Sequence, residues 1–185
     1  MNLFILDKDP ILAAQLQCDK HVVKMIVESA QMLSTTHRIL DGHVEKRPSK
    51  SGKTMVNYWV HPNSNLENTL YKAVHHKHPC TLWTMESSAN YFWHVMHFNA
   101  LLKEFEYRYG HEHGSKFLLP VLSSLPKNIP MGPQTPFRLA MKDSPECIAL
   151  GDPVKAYQAF YQTKQKRFSM VWTKRETPTW FERLS

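Results

Sequence analysis

The chain has 185 residues, 42% hydrophobic and 21% charged, the composition of a globular domain long enough to bury a sizeable core. Lys and Arg outnumber Asp and Glu 23 to 16, a formal net charge of +7 that favours polyanionic partners such as nucleic acid. No apolar run approaches the roughly 20 residues of a membrane span, and the start MNLFILDKDP lacks the basic region and apolar length of a secretion signal. The expected organisation is therefore one domain, residues 1–185, in the cytoplasm. Cys18, Cys80 and Cys147 are odd in number, widely spaced and without a CxxC pair. They read as reduced, buried thiols rather than a disulfide framework or a zinc site.

Residues 2–6 (NLFIL) form a short apolar lead-in. Asp9-Pro10 reads as an N-cap with proline at the first helical position. It opens one long helix, or two in close succession, running to about Leu40 and stopped at Asp41-Gly42. Residues 43–65 are basic and rich in Ser, Gly, Pro and Asn, which predicts a long exposed loop. Within it Tyr58 and Trp59 either pack back on the core or offer a stacking surface for bases. A helix is predicted over 66–76, broken at His78-Pro79. Ser87 or Ser88 caps the next, which ends at Gly110 after Tyr109. A short helix over 115–124 is interrupted at Pro120. Residues 126–150 are predicted as a second long loop, with prolines at 126, 130, 133 and 136. Asp152-Pro153 opens a last helix to about Phe168, and the aromatic, basic tail is expected to dock on the core. Period-two alternation is limited to 2–6 and 55–60. The predicted fold class is all-α: a mainly helical single domain with long irregular loops at 43–65 and 126–150.

Three groups of residues can carry chemistry. In CDKHVVKMIVESAQML (18–33) and just beyond, His21, Lys24, Glu28, Gln31 and Thr35 recur at intervals of three and four, placing all five on one helical face. Val22, Val23, Ile26, Val27, Ala30 and Leu33 cover much of the rest. Glu28 can act as a general base or stabilise a developing cation. His21 can orient a substrate or shuttle a proton, and Lys24 can hold a phosphate or act as an amine nucleophile. The alternative is a buried Lys24–Glu28 ion pair with no catalytic role. In the histidine-rich stretch 75–97, His94 and His97 share a helical face with Asn90, Leu101, Glu104 and Arg108. HxxH without a carboxylate or cysteine pair favours hydrogen-bonded core histidines over a metal site. Lastly, Trp83, Tyr91, Trp93, Trp172 and Trp180 accompany Lys164, Lys166, Arg167, Lys174 and Arg175. Such interleaving suits phosphate contacts with base stacking, or else a plain core with a solvated basic face. Walker A, GxGxxG and GxSxG motifs are absent, and no cofactor is expected.

Asn2-Leu3, then Asp19-Lys20-His21, then Glu28 seven residues after the histidine resembles the pattern of phage pyrimidine-dimer DNA glycosylases of the endonuclease V type. HPCTLW (78–83) followed by LLKEFEYRYG (101–110), and PTWFE (178–182), are similar to further patches of that family in the same order. The resemblance implies a metal-independent enzyme acting on double-stranded DNA, without an obligate protein partner, in the host cytoplasm if virus-encoded. It implies cleavage of the N-glycosidic bond of a damaged or modified pyrimidine, coupled to strand nicking. The nucleophile would be the chain's own α-amine, which attacks the anomeric carbon to give an imine. An α-amine suits this role because its ordinary pKa of about 8 leaves it partly neutral at pH 7. Glu28 would be the essential carboxylate and His21 its neighbour. Residue 2 is Asn where the family exposes a Thr amine after losing Met. The catalytic amine is therefore expected at Met1, with Asn2 beside it, or the lyase step is absent. Val27 and Gln31 stand where the family has arginines, so Lys20, Lys24 and Gln31 are the expected substrate contacts, joined by Trp83, Asn90, Lys174 and Arg175. Two other readings stand: base or nucleotide modification of the phage kind on the same scaffold, and non-catalytic nucleic-acid binding.

Overall fold

In the computed structural model, which describes residues 1–184, the apolar lead-in runs through the middle of the molecule. Leu3, Phe4, Ile5 and Leu6 are all buried. Around them, in chain order, lie α1 (Pro10–Gln15), α2 (Asp19–Asp41), β1 (His43–Pro48), β2 (Met55–Val60), α3 (Ser64–Thr69), α4 (Pro79–Glu86), α5 (Ser88–Tyr109), α6 (Leu119–Leu122), α7 (Pro145–Ile148) and α8 (Pro153–Gln162). Short 3₁₀ turns at Gly114–Leu118 and Thr163–Lys166 complete the set. No helix among the described residues is long and apolar enough to cross a membrane.

Local chemistry accounts for the helix ends. Asp9 accepts from the backbone N–H of Ile11 and Leu12 ahead of Pro10. His78 Nδ1 accepts from Cys80 N–H ahead of Pro79, Ser87 Oγ from Asn90 N–H, and Asp152 from Lys155 N–H. Gly110 ends α5 in the left-handed region at φ 77°, the αL stop that glycine takes at least cost. At the other end of α2 the constraint is space. A Cβ on Gly42 would sit 2.4 Å from the Arg38 carbonyl oxygen and 2.5 Å from that of Val60.

The all-α prediction is corrected: β1 and β2 form an antiparallel hairpin, His43 opposite Val60 through Pro48 opposite Met55, inside the segment read as a loop. Half the chain is helical and 7% is strand. The alternation noted over 55–60 coincides with β2, but β1 is exposed along almost its whole length and shows none, so the pairing was not read. Tyr58 lies between Arg47 and Lys72, and Trp59 packs against His76.

The helix predicted over 66–76 also stops short, at Thr69. Arg38, buried on α2, takes the carbonyls of Trp59, Glu67, Leu70 and Tyr71 and the Glu67 carboxylate. Thr35 Oγ1 holds both N–H and C=O of Val74, and Ser34 Oγ accepts from Tyr71 N–H. These side chains satisfy the backbone groups that helical bonds would otherwise use. Likewise α8 ends at Gln162 rather than near Phe168, giving way to the 3₁₀ turn. The second long loop is irregular apart from the single turn of α7. Thr135 anchors it to Asn90 and Glu86, and Asp41 accepts from the N–H groups of Lys127 and Asn128.

Arg108 is fully buried between Glu104 and Asp19, at 2.7 and 2.9 Å, and Arg175 closes a second pair on Glu104 at 2.8 Å. Asp19 also accepts from Thr173, and Trp172 Nε1 donates to the Leu16 carbonyl, so the tail docks as expected. All three cysteines are free and buried. His94 Nδ1 donates to Thr84 Oγ1 at 2.8 Å, while His97 accepts from Gln17 at 3.1 Å and stacks on Trp93.

Burial pushes His21 and His37 from 6.5 down to about 4 and His97 to about 3, and holds His94 well below its ordinary value. All four are neutral in the fold, whereas the unfolded chain takes up their protons below about 6.5. Their contribution to stability is thus complete above pH 6.5 and lost as pH falls toward 4, at up to about 3 kcal/mol for a shift of this size. Urea unfolding measured from pH 7 to 4.5 is expected to show a steep loss of stability. A flat profile over that window would show these histidines to be solvated.

Candidate active site

Feeding the lead-in through the core brings the start of the chain onto α2. Phe4 packs its ring against His21 at 4.7 Å and against Tyr161 of α8 at 4.9 Å. Asn2 Nδ2 donates to the Ala140 carbonyl, and Asn2 Oδ1 accepts from Leu3 N–H. With Asn2 so fixed, its backbone N–H donates to Glu28 Oε2 at 2.8 Å. The Met1 amine lies 3.7 Å from the same oxygen. Lys24 Nζ reaches the other oxygen, Oε1, at 3.3 Å.

The i,i+4 pair of the non-catalytic alternative is therefore present, but it is not the buried pair that alternative expects. The Lys24 side chain is 63% exposed, so solvent screens its attraction. The Met1 side chain is only 5% exposed and that of Glu28 11%, so the carboxylate meets the amine at the edge of the core.

Met1, Asn2, His21, Lys24 and Glu28 line one cleft of about 320 Å³, at the small end of ligand sites. Phe4, Phe160 and Phe168 supply apolar walls, and Lys164 and Arg167 add positive charge opposite α2. The His21 ring is neutral. Burial is the main cause, reinforced by the charges of Lys24 and Lys164, and its Nδ1 is buried without a partner. Lys164 sits 3.4 Å above the Phe160 ring, its amine lowered to about 8 first by burial and then by repulsion from Arg167 and Lys24, with Cys147 opposing. The cleft thus joins an amine and a carboxylate at ion-pair range to a neutral imidazole and a cationic rim. It can take an anionic substrate whose electrophilic carbon meets the amine.

Other expected contacts fall elsewhere. Lys20 stands at the cleft's edge, its ammonium 4.8 Å from the centre of the Phe168 ring. Gln31 does not line the cleft, and Thr35 serves the 70–74 segment instead. Trp83 and Asn90, read as DNA contacts, are core residues. Trp83 is 1% exposed with its Nε1 on the Thr135 carbonyl, and Asn90 is 0% exposed and bonded to Trp83 and Thr135. Lys174 and Arg175 frame Tyr107, with Arg175 held by Glu104 beside separate clefts. Phe160 and Phe168 were not foreseen. Lys164 and Arg167 were noted only as part of a basic cluster. A KxxR pair at helical spacing between two phenylalanines was the available signal.

Comparison of the chain with protein-family models, with curated proteins and with solved structures returns no match.

NMR titration of the Lys164 Nζ is expected to give a midpoint near 8, moving upward in Arg167→Gln as like-charge repulsion is removed. A midpoint at the ordinary lysine value would mean that the amine is solvated and the cleft wall open.

Proposed function

We propose that the chain is a DNA-acting enzyme of the glycosylase or glycosylase/lyase type, working without a metal at the Glu28 cleft on a damaged or modified pyrimidine in duplex DNA. The observation that carries this reading is the ion pair of the terminal amine with a buried carboxylate, Met1 N at 3.7 Å from Glu28 Oε2. The Asn2 nitrogen at 2.8 Å would take over the amine role if Met1 were removed. Either nitrogen is held on the carboxylate by the same buried lead-in. The similarity to pyrimidine-dimer glycosylases in Asn2-Leu3, Asp19-Lys20-His21 and Glu28 supports the same chemistry.

The neutral amine adds to C1′ of the target nucleotide as the C1′–N bond breaks, and the base leaves with the bonding pair and takes up a proton. Loss of the amine's proton and opening of the sugar ring give an imine to C1′. Removal of a C2′ proton then expels the 3′ phosphate and nicks the strand. Glu28 stabilises the cationic sugar and accepts the proton moved in these steps. A buried carboxylate close to the reacting carbon acts where little water screens it. His21, neutral at physiological pH, faces the sugar with Nε2, since its Nδ1 is buried. Lys20, Lys24, Lys164 and Arg167 hold flanking phosphates, and the phenylalanine walls receive an extruded base.

The test is Glu28→Gln, which keeps the shape and one hydrogen-bond acceptor. Strand cleavage of duplexes carrying pyrimidine photoproducts or modified pyrimidines is expected to fall at least 100-fold, with DNA affinity within about threefold of wild type. Unchanged cleavage in the variant would defeat the assignment of Glu28. Binding with no product from the wild type on any such duplex would leave a nucleic-acid-binding protein. A mass change in the base without cleavage would indicate base modification.

A further inference from the structure

The second buried polar cluster on α2 lies about 13 Å further along the helix from Glu28, at one end of the hairpin. His37 and Asp41 stand one turn apart on α2, and His61 follows directly on β2. One ligand atom from each of the three lies within 4.8 Å of the others, and His61 Nε2 is 3.9 Å from Asp41 Oδ2. The cluster opens on a cleft of about 650 Å³ between the hairpin exit and residues 120–128.

The hydrogen bonding leaves this cluster incomplete. Tyr91 donates its only hydroxyl proton to the Leu122 carbonyl, so at 2.7 Å it accepts from His37 Nε2. The His37 Nδ1 is then a lone pair, and it is buried with no partner, on a residue 2% exposed. Burial chiefly holds this ring neutral, opposed by Asp41 and by the Ser124 backbone, so ligation through Nδ1 would displace that backbone contact. His61 is 6% exposed and its Nε2 is likewise buried without a partner. Asp41 uses its carboxylate for the N–H groups of Lys127 and Asn128, which orients it while Oδ2 keeps a lone pair to spare. Two unpartnered imidazole nitrogens and an oriented carboxylate are the donor set of three-ligand zinc sites, with supporting bonds behind His37 and Asp41.

We infer that His37, Asp41 and His61 form a binding site for a divalent transition-metal ion of the zinc class, with its remaining position facing the adjoining cleft. Binding draws the widest pair of ligand atoms, 4.8 Å apart, together by about 1.4 Å, to the roughly 3.4 Å that tetrahedral bonds near 2.1 Å set. It also exchanges the proton on His61 Nε2 for one on Nδ1, which gives up the 3.1 Å bond from Asn63 N–H. The site is independent of the Glu28 cleft and of the reaction proposed there. Its ion would tie the C-terminal end of α2, the hairpin exit and the 126–128 segment to one point.

Cobalt(II) titration of the full chain, after treatment with a chelator, tests this directly. One equivalent is expected to bind with a visible d–d band, to be displaced by zinc(II), and to raise Tm by mass action. His61→Gln and Asp41→Asn are expected to weaken cobalt affinity at least tenfold each, while the double variant His75→Gln/His78→Gln leaves it unchanged. Asp41→Asn keeps an acceptor for only one of Lys127 N–H and Asn128 N–H, so His61→Gln, with its metal-free Tm measured beside the wild type, separates ligation from folding. Absence of a band, or a band unaffected by both ligand variants, would overturn the site. The cluster would then be a polar cavity bridged by water.

Discussion

The hydrogen bond from Asn2 N–H to Glu28 Oε2 closes the molecule on itself, and the site depends on it. It spans 26 residues and exists because Leu3 to Leu6 are buried in the core rather than trailing from it. Each flanking contact guards that path: Phe4 against His21 and Tyr161, Asn2 against Ala140, and Gln158 on the Leu6 carbonyl. An amine on a free terminus would sample many positions and be fully hydrated. Here it meets a buried carboxylate at fixed range, which is the preorganisation that covalent catalysis by an amine requires.

The same helix organises the rest of the fold. Along α2, Glu28 meets the start of the chain, Arg38 gathers four carbonyls and a carboxylate from 59–71, and Asp41 holds the 126–128 segment. The polar side chains of α2 thus replace regular structure in the stretches that pack on it. This explains how a protein with long irregular segments keeps their backbone groups satisfied. A comparable arrangement, Arg108 and Arg175 about Glu104, binds the tail to α5.

Signals that act within a few residues were readable from the sequence. Asp9-Pro10, Ser87, Gly110 and Asp152-Pro153 all mark the helix ends expected of them, whereas His78-Pro79, read as the break of the 66–76 helix, caps the start of α4. The His21–Lys24–Glu28 spacing placed three cleft residues on one face. What could not be read depends on tertiary partners. Residues 66–76 have a helical pattern, but Arg38 and Thr35 compete for their carbonyls and amides. The first strand of the hairpin is exposed and shows no alternation, so the alternation at 55–60 had no visible partner. Trp83 and Asn90 share their types with nucleic-acid-binding residues, yet the loop at Thr135 covers them. Which basic residues face Glu28 is decided by how α8 packs, and the union of His37, Asp41 and His61 by where the hairpin returns.

The central claim is that the amine at the start of the chain, supported by Glu28, forms a covalent bond to DNA. Borohydride reduction in the presence of a duplex with one abasic site, followed by peptide mapping of the trapped protein, tests it most directly. A stable adduct on the amino-terminal peptide is the predicted result. No adduct, or one confined to an internal lysine such as Lys24 or Lys164, would contradict it.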